Sequence, residues 1–164
     1  MADTPRIGVI GLPGKWSSEA LADAVQARTG ERLLFDMTDV RLDLADNSLW
    51  HGDRNLCELD ALIVKKISAE YSPHTLDRLE MLRAAESAGV RVFSPALSIL
   101  RLIDRLSCTV TLRNAGIPMP ETRVTGNPAD AAEAVRDFGE AVFKPLYSTK
   151  ARGMCVLGAD LPGA

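Results

Sequence analysis

The tightest constraint in the sequence is the run at residues 60–65 (DALIVK), where Ala61, Leu62, Ile63 and Val64 are apolar without alternation. A strand with one wet face alternates apolar and polar residues. A strand apolar on both faces must be covered on both, which is the condition of a parallel sheet flanked by helices. The same texture recurs at residues 6–11 (RIGVIG) and, more briefly, at 32–35 and 90–93. Helical patterns lie between these runs. Leu12-Pro13-Gly14-Lys15 leads to a capped helix start at Ser17-Ser18-Glu19, with Leu21, Ala24, Val25 and Arg28 at helical spacing until Thr29-Gly30. Ser72-Pro73 opens a second helix carrying Leu76, Leu79, Leu82 and Ala85, which ends at Gly89. Strands alternating with helices predict a doubly wound α/β unit with right-handed crossovers. Residues 36–60 hold seven acids against two arginines, with Asn47 and Gly52 as turn residues around Leu49-Trp50-His51, and read as a small strand or hairpin insertion.

After Ser94-Pro95 the texture changes. Residues 96–115 are helical in pattern, Gly116-Ile117-Pro118-Met119-Pro120 breaks the helix, and 121–125 reads as a strand. Asn127-Pro128 caps a helix carrying Ala131, Ala134, Val135 and Phe138, closed by Gly139. Residues 141–146 (AVFKPL) follow as a strand, 147–153 as a polar, basic loop, and 154–157 (MCVL) as the returning arm of a hairpin. This is an α+β order, so the expected organisation is a doubly wound parallel-sheet domain over residues 1–95 and a partial α+β subdomain over 96–164.

The chain has 164 residues, of which 46% are hydrophobic and 25% charged, and this excludes a disordered tail. A net charge of -3 leaves no electrostatic footprint for nucleic acid. Cys57, Cys108 and Cys155 are odd in number, widely spaced and in no C-x-x-C pair, and His51 and His74 are the two histidines. Neither a disulfide framework nor a zinc site is expected from that set. The N-terminus has no basic segment followed by an apolar core, and no later stretch approaches about 20 uninterrupted apolar residues. The expectation is a soluble, cytoplasmic protein with no nucleic-acid or membrane partner.

The segment Gly11-Leu12-Pro13-Gly14-Lys15-Trp16-Ser17 is superficially like a phosphate-binding P-loop, but Trp16 stands where that motif needs Ser or Thr after the lysine. Gly8, Gly11 and Gly14 do not form G-x-G-x-x-G either. Two readings remain: a tight turn with a lysine near a helix start, or a site where Lys15 and backbone N–H groups hold an anionic substrate. Lys65 and Lys66 emerge at the carboxyl end of a buried strand, the edge at which α/β sheets bind ligands. They are a solvated pair or further contacts to a substrate carboxylate. Trp16 and Trp50 read as local packing.

The third region carries an ordered set of motifs. Asp104-Arg105 stands at a helix start, Leu112-Arg113-Asn114-Ala115-Gly116-Ile117-Pro118-Met119-Pro120-Glu121-Thr122 follows, then Val142-Phe143-Lys144-Pro145, then a loop ending in Arg152-Gly153-Met154. In this order the chain resembles the ATP-grasp superfamily in its RimK-like glutamate ligase and glutathione synthetase branch, and within it the GAK-system ATP-grasp enzymes. The resemblance covers residues 90–157 by motif and the first 90 by fold, as a pre-ATP-grasp domain. It implies that Lys144 contacts the adenine and α-phosphate of ATP, and that Arg105 takes the place of a helix-start lysine on the phosphates. Tyr147, Ser148, Thr149, Lys150, Ala151, Arg152 and Gly153 match the loop that folds over the triphosphate. Two departures are visible: this loop is poorer in glycine than the family's, and arginine replaces lysine at 105, keeping the charge in a forked geometry.

The physical logic agrees with the resemblance. A triphosphate brings several negative charges, and residues 144–164 carry Lys144, Lys150 and Arg152 against Asp160 alone. In the family the acidic magnesium ligands and the catalytic arginine lie beyond the equivalent of Leu157, so the resemblance assigns no metal ligand and no catalytic residue here. What it implies is the N-terminal part of an ATP- and magnesium-dependent ligase. Such an enzyme joins a small-molecule or peptide carboxylate to an amine through an acyl phosphate, and this chain alone would be inactive. The alternative is a non-catalytic α/β binding or dimerisation module; a homo-oligomer stays open in either case.

Overall fold

The computed structural model describes residues 4–147 and 152–159, and the chain divides into two compact units, Met1–Leu102 and Ile103–Ala164. In the first, β1 (Ile7–Ile10), β2 (Leu34–Phe35), β6 (Ala61–Val64) and β7 (Arg91–Phe93) form a four-stranded parallel sheet in the order β2-β1-β6-β7. Its register pairs Ile7 with Ala61 and Ile10 with Val64. The apolar run that demanded two covered faces is therefore an interior strand, and Ile10 and Leu62 are fully buried. The crossover from β1 to β2 runs through α1 (Trp16–Thr29), and that from β6 to β7 runs through α2 (His74–Ser87), in the opposite direction along the sheet. With both crossovers right-handed, the two helices cover opposite faces.

Helix α1 lies close to the sheet because it presents small residues: Ser18, Ala22 and Val25 are buried, and Val9, Ala22 and Val25 form one core cluster with Leu34 and Ile63 packed on it. This face is turned relative to the expected one, for Ala24 is exposed. Helix α2 buries Thr75, Leu79, Leu82 and Ala85, while Leu76 is exposed. The acidic insertion is a second sheet, antiparallel, in which β3 (Val40–Asp43) pairs with β4 (Ser48–His51) and β4 with β5 (Arg54–Asn55). Trp50 sits within it and donates from Nε1 to Ser48 Oγ at 2.7 Å. Trp16 does not pack as expected: it opens α1 and is 84% exposed. A short helix, α3 (Ala96–Ile103), follows β7.

The second unit comprises α4 (Arg105–Asn114), α5 (Pro128–Phe138) and a hairpin of β8 (Glu140–Phe143) with β9 (Cys155–Gly158), in register Val142 to Val156. Gly116 at φ +70° lets the chain leave α4, with its own N–H on Arg113 O and the Ile117 N–H on Leu112 O. Residues 121–125 are not the expected strand. They pair with no strand among the described residues; their side chains staple the segment to α5 instead. Arg123 Nη2 donates to Asp137 at 2.6 Å with its guanidinium 5.1 Å from the Phe138 ring, and Thr125 Oγ1 donates to Asp130. No helix among the described residues is long and apolar enough to cross a membrane.

Gly8 fixes how tightly the first unit closes. A Cβ there would meet Phe35 Cε2 at 2.6 Å and Leu62 Cδ2 at 2.9 Å, and both side chains are buried. Gly8→Ala is expected to destabilise the protein by about 1–3 kcal/mol, read as a lowered urea midpoint at constant slope; an unchanged midpoint would contradict this packing.

Candidate functional site

Each unit brings together some of the residues singled out in the sequence. In the first, the crossover direction reverses between β1 and β6, and the carboxyl ends of these neighbouring strands define the topological switch point at which open α/β sheets take ligands. Lys15 lies beyond β1, and Lys65 and Lys66 directly follow β6, their N–H groups both donating to Ile10 O at 2.8 and 3.1 Å. Lys15 and Lys65 are exposed, Lys66 is half-buried, and none of the three makes an ion pair among the described residues. Three lysines thus follow two adjacent strand ends. Arg78 of α2 holds the turn after Lys66, donating to Ile67 O at 3.2 Å and Ser68 Oγ at 2.7 Å.

The turn between β1 and α1 differs from an open anion cradle. The helix begins at Trp16, and Lys15 is its cap residue, with no side-chain cap bond. The expected cap residues turn back onto the loop: Ser18 Oγ accepts from Leu12 N–H at 3.0 Å, and Glu19 Oε1 accepts from Gly14 N–H at 2.6 Å. Glu19 also pairs with Arg32, which reaches Asp23 at 2.8 Å. A carboxylate of the chain's own thus occupies one of the loop N–H groups that an anionic ligand would use. The Gly14 N–H above all, and then the Arg32 guanidinium, hold the Glu19 carboxyl below the usual glutamate range.

In the second unit three separated stretches meet at Pro145. Asp104 caps α4 by accepting the Ser107 N–H at 2.9 Å, which leaves Arg105 as the first helical residue. Arg105 Nη1 donates to Pro145 O at 2.5 Å. Pro145 follows Lys144, which is exposed just past the end of β8. On the returning arm, Gly153 has φ +70° and lies so close to the proline that a Cβ there would stand 3.1 Å from Pro145 Cγ. Arg105, Lys144 and Gly153 are therefore drawn to one end of the β8–β9 hairpin, and Arg152 adjoins them in sequence. Ser148, Thr149 and Lys150, also singled out for the phosphate loop, lie outside the described residues. Sequence reasoning missed the Arg105–Pro145 bond and Arg78; each is a long side chain meeting a backbone carbonyl distant in sequence, for which no local signal exists. Cations at a helix start and a strand end suit phosphate oxygens. Among the described residues no group of three or more His, Cys, Asp or Glu is gathered as a metal site would require.

No family model matches the chain. It is 27% identical over 154 residues, 90% of its length, to the tetrahydromethanopterin:alpha-L-glutamate ligase of Methanosarcina acetivorans, and spans 48% of that protein, about half the length of the curated relative it matches. Among solved structures it is similar to the RimK domain ATP-grasp protein of Sphaerobacter thermophilus (TM-score 0.69, 23% identity, 93% of this chain and 53% of that one). It is also similar to the ATP-grasp ligase PsnB complexed with a phosphomimetic variant of its minimal precursor, Mg and ADP (TM-score 0.72, 18% identity, 95% and 58%). The chain has the α/β fold of the N-terminal portion of RimK-like ATP-grasp ligases.

The lowered Glu19 carboxyl gives the β1–α1 turn a signed pH dependence. A depressed carboxyl contributes stability in full above its unfolded-state value of 4.5, and the contribution is lost as pH falls from there through the folded-state value. Glu19→Gln is expected to lower the melting temperature at neutral pH and to flatten its fall between about pH 5 and pH 3. An acid limb identical to that of the unsubstituted protein would show that the Gly14 and Arg32 contacts do not persist in solution.

Proposed function

We propose that this chain is the N-terminal part of an ATP-dependent carboxylate–amine ligase, comprising a pre-ATP-grasp domain and the first ATP-grasp subdomain, and that it does not turn over alone. The observation that carries the reading is the convergence on Pro145 of Arg105, Lys144 and Gly153, in the order in which the family's phosphate-binding motifs occur. The relatives support it: they are ligases, and PsnB is solved with Mg and ADP.

In this reading Lys144 binds the adenine edge and α-phosphate. Arg105 anchors the hairpin through Pro145 and adds charge at the phosphates, while Ser148, Thr149, Lys150, Arg152 and Gly153 close over the triphosphate. ATP, with magnesium held by residues outside this chain, supplies the γ-phosphoryl group that turns the substrate carboxylate into an acyl phosphate open to attack by an amine. Lys15, Lys65 and Lys66, at the switch point of the first unit, are the proposed contacts to the substrate carboxylate, small-molecule or peptide. All of this chemistry belongs to the cytoplasm, where ATP and magnesium are supplied.

A second reading, a non-catalytic or dimerising module, draws on one observation: α4 buries none of its residues, and Val142 and Val156 are about half exposed on the hairpin. Metal-independent, tight ATP binding by this chain alone would favour it over the ligase.

The test is the full-length product of the gene, assayed for ADP release with Mg²⁺ and candidate amino acids. Lys144→Ala is expected to lower kcat/KM by about 10²–10³-fold. Undiminished activity in that variant would remove the site assignment, and absence of amino-acid-dependent ADP release would remove the ligase reading.

A further inference from the structure

The first unit holds a second concavity, away from the carboxyl edge that carries Lys65 and Lys66. It is a cleft of about 500 Å³, within the usual range of about 300–1,000 Å³ for small-ligand sites. It lies toward the amino-terminal ends of the central strands: Arg6 immediately precedes β1, and Glu58 and Leu59 come just before β6. The antiparallel insertion forms its other wall with His51 and Asp53. Its apolar surface comes from Phe35, which is 4% exposed, and Leu59, which is also buried; the His51 ring rests on Phe35 with centroids 5.1 Å apart.

The charges in this cleft are unusual in what they do not do. The Arg6 backbone N–H is held by Asp60 at 2.7 Å, which fixes the residue at the cleft, yet its guanidinium makes no ion pair among the described residues. Asp53 and Glu58 line the same cleft and also lack an ion-pair partner among the described residues; the one bond to the Glu58 carboxylate comes from Asn55 Nδ2, at 3.4 Å. Arg54, which also lines the cleft, is by contrast already committed, to Glu31 at 2.7 Å. One uncommitted arginine and two carboxylates thus share a cleft without pairing to one another, over an apolar and aromatic floor. Opposite charges kept apart around a cavity suit a ligand that carries both.

We propose that this cleft binds a small zwitterion with an apolar body, a free α-amino acid of the aromatic or branched class. Its carboxylate meets the Arg6 guanidinium in the forked geometry that arginine favours. Its ammonium group meets Asp53 and Glu58, and its side chain covers Phe35, Leu59 and the His51 ring. The site is separate from the switch-point lysines of the same unit, and it does not depend on the ligase reading.

The experiment titrates the whole chain with L-phenylalanine and L-leucine, followed by amide chemical shifts. Phenethylamine and 3-phenylpropionate, each keeping one charge, serve as controls. Saturable shifts at residues 51–59, with Arg6→Gln and Glu58→Gln each weakening binding about tenfold and the single-charge analogues binding at least about tenfold more weakly, are the expected result. The two variants alter opposite ends of the ligand, so either one that keeps the wild-type melting temperature suffices. The proposal is overturned by the absence of saturable shifts up to about 10 mM, by binding that a folded variant leaves unchanged, or by a single-charge analogue that binds as well as the amino acid.

Discussion

The bond from Arg105 to the carbonyl oxygen of Pro145 closes a loop of 40 residues and ties the start of α4 to the end of β8. Arginine suits the position better than a point charge would. Its fork lets one nitrogen take the carbonyl while the cation itself stays at the hairpin end, beside the strand lysine. Proline at 145 contributes too: its ring is the surface on which Gly153 packs, and the positive φ of Gly153 brings the returning arm back.

The first unit is built on a different constraint, the pairing of β1 with β6 in parallel. Because the next strands are added on opposite sides, by crossovers of one hand, the carboxyl ends of these two strands form a crevice into which no crossover passes. The chain sets lysines there, and they make no ion pair among the described residues. The neighbouring β1–α1 turn is closed by Glu19 and Ser18, so what this edge presents is side-chain charge more than free backbone donors.

Much of this was legible in the sequence because it was local. Ala61-Leu62-Ile63-Val64 could only be a strand buried on both faces, the glycine and Asx-Pro punctuation marked where helices began and ended, and the second arm of the hairpin followed from the apolar run after Gly153. The misses share a cause. Residues 121–125 have strand-forming composition, but a strand needs a partner, and Arg123 and Thr125 found side chains on α5 instead. The face of α1 shifted because small residues at 18 and 22 allow the helix to approach Gly11 closely, a gain that periodicity counted on large residues does not register. Ser18 and Glu19 were read as caps, yet their better partners were loop N–H groups. At the candidate site, residue types and order pointed to Arg105 and Lys144, but their meeting at Pro145 is a tertiary fact.

The central claim is that the hairpin end around Pro145 is a phosphate-binding site. The most direct measurement is a crystal structure of the full-length gene product with a non-hydrolysable ATP analogue and Mg²⁺. The account predicts phosphate oxygens within hydrogen-bonding distance, about 2.7–3.2 Å, of Lys144 Nζ and the Arg105 guanidinium. A nucleotide bound with its phosphates away from both cations would contradict it.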